Sequence, residues 1–364
     1  MSTLSSLLIA LIFLPMMISL TAMPYLTRET ISFGVTVSED IYRSDTLRRM
    51  RRSYSMYSGT LYAVLFILCV IQLLRSAPVQ QNGVIGAYII MVILISTAMN
   101  VIYYFRMKKL LPSLPSTPSP SVLAVDTSFR QGNLVLSNKW FLIHAVIILA
   151  GLIAVLNRYE QIPSLIPMKF DFMGNVTRSA VKSYRSVLYP TIIQTFMTLL
   201  FVFINWSIRS SKQQIQADDP QRSLRQNIVF RRSWSLFTVL SSFALLLLFT
   251  LIQLHMLGQI NVNSLMLISL LTPIFVVLFA FLISFRTGQG GSKIGRPAAG
   301  SKLAPVNNDS HWKLGMFYFN RQDPALFIEK RIGVGWTLNF GHPLCWLVLL
   351  GIGGFIAITY VFAR

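Results

Sequence analysis

Eight stretches, near residues 3–25, 58–77, 84–105, 140–157, 187–208, 234–257, 264–285 and 343–363, are predominantly apolar. Their lengths sit near the roughly 20 residues that a helix needs to cross a hydrocarbon core. Within lipid every backbone N–H and C=O must be satisfied inside the structure, so such a chain folds as helices packed side by side. The expected fold class is all-α: a polytopic transmembrane helix bundle of about eight spans. The 140–157 stretch is the shortest of the set. Trp140, Trp206, Trp234, Tyr103, Tyr104 and Tyr189 fall near the ends of these stretches, where amphipathic rings favour the membrane interface. Composition points the same way, with 54% hydrophobic and 12% charged residues, against roughly 25% charged in a soluble domain. Met1 to Ala10 carry no basic side chain and so lack the n-region of a cleavable signal peptide; the first stretch is expected to stay as a span.

The formal net charge is +20, from 32 Lys and Arg against 12 Asp and Glu. In a soluble protein this would suggest nucleic acid. In a membrane protein it follows from the enrichment of Lys and Arg in cytoplasmic loops, so anionic headgroups are the expected partner and nucleic acid is not. Placing loops 26–57, 106–139, 209–233 and 286–342 inside collects 25 of the 32 basic residues there. The chain is then a multi-pass cell-membrane protein with both termini extracytoplasmic. The loop 158–186 carries Arg158, Lys169, Arg178, Lys182 and Arg185 and is external under this count; one miscounted span would move it inside. Between Arg28 and Ser58 stand Arg43, Arg48, Arg49, Arg51 and Arg52, either topology-setting charge or a helix lying on the anionic inner leaflet.

Chemistry is sparse. All twelve acidic residues, Glu29 to Glu329, fall between the apolar stretches, which disfavours ion coupling through an intramembrane carboxylate. His144, His255, Asn100, Asn205, Gln194 and Gln253 are the polar candidates within the stretches, and interhelical hydrogen bonding accounts for them. Cys69 and Cys345 have no neighbours at metal-ligand spacing and read as lipid-facing or helix-packing residues. Pro190 and Pro273 read as kinks. Residues 287–302, TGQGGSKIGRPAAGSK, follow a membrane helix rather than a strand and set Gly300, Ser301, Lys302 in the wrong order for a phosphate-binding loop. No catalytic residue, metal or cofactor is expected. The organisation is three spans over 1–105, a Pro/Ser-rich cytoplasmic linker over 106–139, a region 140–208 with the external loop, a loop and two spans over 209–286, a Gly-rich linker over 287–307, a cytoplasmic module over 308–343 and a last span over 344–364.

Two segments stand out. Externally, IPSLIPMKFDFMGN (Ile162–Asn175) has two Ile-Pro pairs that favour extended backbone and Gly174 for a tight turn. It is either a loop folded over the helix ends or a recognition surface using Pro163, Pro167, Lys169, Phe170, Asp171 and Gly174. On the other side, Asn308 to Pro343 reads as a small ordered aromatic module, with strand-like runs in HWKLGMFYFN, ALFIEK and GWTLNF separated by turn residues. Isolated hairpins are marginal in water, so it should pack on other loops or on the interface. Trp312, Phe317, Tyr318, Phe319, Trp336 and Asn339 are its candidate partner-docking residues.

IPxxIPxKFDxxGN resembles the signature of the DUF1648 family of bacterial membrane proteins, which includes the SdpI-type immunity proteins. The family's commoner form has His where this chain has Lys169. The stretch Asp309–Pro343 resembles the DUF5808 module found at the end of such proteins, and FGVTVSED (Phe33–Asp40) with the arginine cluster resembles their front. The resemblance implies a non-enzymatic sensing or immunity protein, meeting an extracytoplasmic peptide outside and a regulator in the cytoplasm. A transporter or permease component is the alternative.

Overall fold

The computed structural model describes residues 3–114, 123–124, 134–170, 175–212, 215–216, 219–295 and 308–362. Helix α1 (Thr3–Thr21) leads through α2 (Met23–Leu26) into a hairpin of β1 (Ile31–Ser32) and β2 (Val35–Thr36), then α3 (Glu39–Arg43). Two long helices follow, α4 (Asp45–Arg75) and α5 (Pro78–Leu110), and then the short strand β3 (Leu123–Ala124). Next come α6 (Phe141–Asn157), a hairpin of β4 (Leu165–Phe170) and β5 (Val176–Val181), α7 (Tyr184–Ser210), β6 (Ile215–Gln216), α8 (Pro220–Met256) and α9 (Val262–Thr287). The chain ends with β7 (Trp312–Lys313), β8 (Phe317–Tyr318), β9 (Phe327–Glu329), β10 (Trp336–Leu338) and α10 (Pro343–Phe362).

The chain is mostly helical, and among the described residues six helices, α4 to α9, are long and apolar enough to cross a membrane. Those six make it a membrane-spanning protein. Helices α1 and α10 are also apolar, over Ile12–Thr21 and Pro343–Thr359. Helix α1 packs on α4 and α9, α4 on α5, and α6 to α9 on one another. The bundle is thus two groups, α1/α4/α5 and α6–α9, joined through the α1–α9 contact. Outward side chains such as Ile67, Leu94, Leu142, Val146, Leu199 and Leu350 are exposed and apolar, while polar side chains turn inward, as a lipid solvent selects.

The inward polar groups tie helix to helix. Tyr54 Oη donates to Asn100 Oδ1 (3.0 Å), and His144 Nε2 and Ser242 Oγ are hydrogen-bonded at 3.0 Å. Gln194 Nε2 donates to Leu246 O and Thr250 Oγ1, and Gln253 Nε2 to Thr191 Oγ1 (2.8 Å). His255 differs from the expectation: it stands at the end of α8, where Nδ1–H donates to Ile260 O (2.8 Å). Cys69 and Cys345 are buried free thiols, packed inside rather than facing lipid.

Two helices start well before their apolar stretches. Ser44 Oγ accepts from Leu47 N and opens α4 at Asp45, and Asp219 caps α8 with Pro220 in its first turn, both favourable starts. Arg48, Arg49, Arg51 and Arg52 of the arginine cluster therefore stand on α4, continuous with its apolar stretch, and Arg43 ends α3. Arg51 is buried, donating to Tyr42 O (2.9 Å) with its guanidinium 4.0 Å from the Tyr42 ring centroid. Arg43 pairs with Glu29 and Glu39. Beside them Phe33, Val35, Val37, Ile41, Leu47, Tyr54, Tyr103 and Met107 form an aromatic-rich core.

The expected Gly-rich linker over 287–307 needs correction in its first part. Residues 288–295 form a packed turn in which Gln289, Gly290 and Gly291 are buried; 296–307 lie outside the described residues. Of the expected Pro/Ser-rich linker, the tract following Leu114 lies outside them as well, apart from the two residues of β3 and the segment from Leu134 onward.

Candidate functional site

Helices α7 and α8 carry a folded element at each end. At one end, residues 308–342 form a module of two antiparallel pairs, β7–β8 and β9–β10, with Tyr318 bridging to Asn339. Its small core is Trp312, Tyr318 and Ile328. Asn339 stands in for missing backbone partners: its Nδ2 donates to Asn320 O, Asp323 O and Ala325 O, and its Oδ1 accepts from Asn320 N and Gly341 N.

Four polar anchors fasten this module to the rest of the chain. Arg331 donates to Gly34 O (2.9 Å) and Thr36 Oγ1 (3.1 Å) on the β1–β2 hairpin, and to Asp309 and Asn308 within the module. Arg28 pairs with Glu329 at 2.5 Å. Lys212, just past α7, pairs with Asp323 at 2.5 Å while its backbone N–H donates to Phe327 O. Gln289, just past α9, exchanges two hydrogen bonds with Gly335, Nε2 to O at 2.9 Å and N to Oε1 at 2.7 Å. Trp336 packs on Phe230 of α8. The hairpin and module meet backbone to backbone at Gly34 and Gly315, both with positive φ; a Cβ on Gly34 would fall 2.6 Å from Gly315 Cα.

Burial sets the electrostatics. For Asp323 burial pushes the carboxyl up, but hydrogen bonds from Lys212, Ala325 N–H and the Tyr318 hydroxyl outweigh it and hold it below its ordinary value. The Tyr318 phenol is pushed up to about 12, chiefly by burial. Burial disfavours the charge on Arg331, and Asp309 restores part of it. Nearby Arg231, on α8, is almost fully buried and donates to Ile208 O, Arg209 O, Ser211 O and Lys212 O. It thereby satisfies the carbonyls that the end of α7 would otherwise leave unpaired.

The six candidate docking residues do not form one surface. Trp312, Tyr318 and Asn339 are buried in the module's own interior, and Trp336 is half-buried against Phe230. An aromatic cluster reads alike in sequence whether it makes a core or a contact face. Only Phe317 and Phe319, 45% and 40% exposed, face outward. Sequence reasoning missed Arg28, Lys212, Gln289, Arg331 and Arg231. One signal was available for three of them: acids are scarce in this chain, and each acid of the module, Asp309, Asp323 and Glu329, has a basic partner.

At the opposite end, the β4–β5 hairpin folds back over the helix ends. Ile162 and Ile166 are buried with Val155, Val187 and Met256 of α6, α7 and α8. Pro163 is exposed, Pro167 half-buried within β4, and Phe170 lies edge-on to His255. Lys169 is in β4, its backbone paired with Arg178. Asp171 and Gly174 lie outside the described residues. Tyr159 stacks on Tyr184 at 4.5 Å, and Lys182 Nζ donates to Tyr159 O and Glu160 O, which closes the hairpin's base. No group of three or more His, Cys, Asp or Glu that could hold a metal occurs among the described residues.

Fold and sites together define a membrane-spanning helical protein with a strand-containing module seated on its helix ends. The profile of DUF5808, a family of unknown function, matches residues 321–346. That stretch holds Asp323, Glu329, Arg331 and Gly335, which carry the module's side of all four anchors. No curated protein and no solved structure matches the chain.

Proposed function

We propose that this chain is a non-enzymatic bacterial cell-membrane protein of sensing or toxic-peptide immunity type, related to the DUF1648 and SdpI-type proteins. In this reading it crosses the membrane eight times with both termini outside, α1 and α10 being the added spans. The β4–β5 hairpin, with Pro163, Pro167, Lys169 and Phe170, meets an extracytoplasmic peptide. The module faces the cytoplasm and offers Phe317 and Phe319 to a regulator. One observation carries the proposal: α7 and α8 each run from the hairpin's core at Val187 and Met256 to the module's contacts at Lys212 and Phe230. A ligand that shifts the hairpin therefore acts on the same helices that seat the module.

The test is deletion of the gene followed by challenge with a panel of secreted toxic peptides. Increased sensitivity, restored by the wild-type chain but not by a Pro167→Gly, Phe170→Ala variant, is the expected result. Unchanged survival across the panel rules out immunity. Sidedness is checked with Phe170→Cys and Asn320→Cys: a membrane-impermeant thiol reagent added outside should label the first alone.

A transporter is the second reading, favoured by the polar ladder of α6–α8. There Gln194 Oε1 and Gln253 Oε1 are buried without a hydrogen-bond partner, an arrangement that invites water or substrate. Peptide export lost in Gln194→Leu, Gln253→Leu but kept in the hairpin variant would favour it.

A further inference from the structure

We propose that the cavity where the segment leading into α6 meets α7 and α8, at the module's end of the bundle, binds a phosphate oxyanion, supplied by the headgroup of an anionic membrane phospholipid. The cavity is about 550 Å³, walled by Leu134 to Lys139, Asn205, Trp206, Arg209 and Arg232. Lys139, Arg209 and Arg232 come from three different segments and converge on it. None of the three has an acidic partner among the described residues. All three are exposed, so water screens part of their mutual repulsion, and an anion seated among them removes the rest.

The wall is held in place by buried hydrogen bonds. Asn205 has no exposed surface; its Nδ2 donates to Leu136 O (2.9 Å) and Asn138 Oδ1 (2.7 Å), and its Oδ1 accepts from Ser235 Oγ (2.6 Å). Ser235 Oγ accepts in turn from Leu136 N (2.8 Å). Ser137 Oγ accepts from Lys139 N and starts the turn that leads into α6. The segment is thus set so that Lys139 lines the cavity just before α6 begins, where its charge favours an anion.

Depth identifies the source of the phosphate. Trp206 precedes Arg209 by one turn, and Arg232 lies two residues before Trp234, where the apolar stretch of α8 begins. The three cations therefore stand at the boundary where headgroups lie. Leu142 and Val146, three and seven positions after Lys139 on α6, are each 65% exposed and extend an apolar face suited to acyl chains. This inference uses only the membrane-spanning fold and stands independently of the sensing proposal.

The experiment is native mass spectrometry of the full-length protein with phosphatidylglycerol and phosphatidylcholine of identical chains. Retention should favour phosphatidylglycerol. Arg232→Gln should weaken it about fivefold, and the triple change Lys139→Gln, Arg209→Gln, Arg232→Gln roughly 150-fold, at about 1 kcal/mol per charge near the surface. Arg209→Lys, Arg232→Lys should keep most of the preference. A triple variant that unfolds at the wild-type temperature yet retains phosphatidylglycerol equally overturns the proposal, as does equal retention of phosphatidylcholine. If the triple variant does not fold, unchanged retention by Arg232→Gln, an exposed position, decides against it. Inorganic phosphate stabilising delipidated protein as strongly as phosphatidylglycerol overturns the lipid assignment in favour of a soluble phosphate.

Discussion

Replacing Arg331 by Met removes the guanidinium that joins the β1–β2 hairpin to the module while keeping most of the side-chain volume. Four acceptors lose the bond from Arg331: Gly34 O, Thr36 Oγ1, Asp309 Oδ1 and Asn308 Oδ1. Removing one partner of a buried ion pair costs about 3–5 kcal/mol. The lower figure applies here, because Asp309 is 34% exposed and keeps its bonds from Thr36 N and Oγ1. A loss of about 3 kcal/mol makes opening of the contact roughly 150-fold more frequent. Hydrogen exchange of the detergent-solubilised protein reads this directly, since local opening sets amide exchange where closing is fast. Amides of residues 31–37 and 309–319 should exchange about two orders of magnitude faster, while those in the middle of α7 and α8 keep their protection. Unchanged exchange in both segments, with the variant folded, would refute the idea that Arg331 holds the two together.

Gly34→Ala should lower the thermal unfolding midpoint and speed exchange in the same segments, since φ of +82° costs an L-residue about 1–2 kcal/mol before its clash with Gly315; a wild-type midpoint would contradict the close approach. Asn205→Leu removes three interhelical or segment-holding bonds and should cost roughly 1–2 kcal/mol, read as a lower unfolding temperature in detergent, with no shift as the contrary result. The Lys212–Asp323 contact has a pH signature. The folded carboxyl titrates below its ordinary value of 3.8, so in acid the unfolded state binds the proton first. The contact's contribution is therefore full above about pH 5 and falls away as pH drops through 4 and below. Asp323→Asn should flatten that acid limb, and an identical limb in the variant would show that other carboxylates set it.

The long helices were legible because lipid imposes one demand, a run of apolar residues, and α4 to α9 each contain one. Their polar extensions were less visible. Ser44 before Asp45 and Asp219 before Pro220 are good helix starts, but in the turns that follow the apolar positions are interleaved with arginines, and one of these, Arg51, shares the buried face of Leu47 and Tyr54 through its contact with Tyr42. The module's strands were readable from aromatic runs set between turn residues. Its inside and outside were not, since Tyr318 and Phe319 are neighbours in sequence and opposite in burial. Arg231 looks like any other basic loop residue, and only the path of α7 places four carbonyls around it.

The length of α8 has a mechanical meaning. Its 37 residues make a rod of about 55 Å at 1.5 Å per residue, with Met256 under the hairpin and Phe230 under the module. Pivoted at its middle, such a rod tilted by about 5° displaces each tip by roughly 2.4 Å. Arg231, seven residues or about 10.5 Å from that pivot, moves by only about 0.9 Å, so the tip at Met256 swings more than twice as far as the bonds that Arg231 makes to the end of α7. The helix is a lever with unequal arms, long on the side of the hairpin and short on the side of the bonds at Arg231.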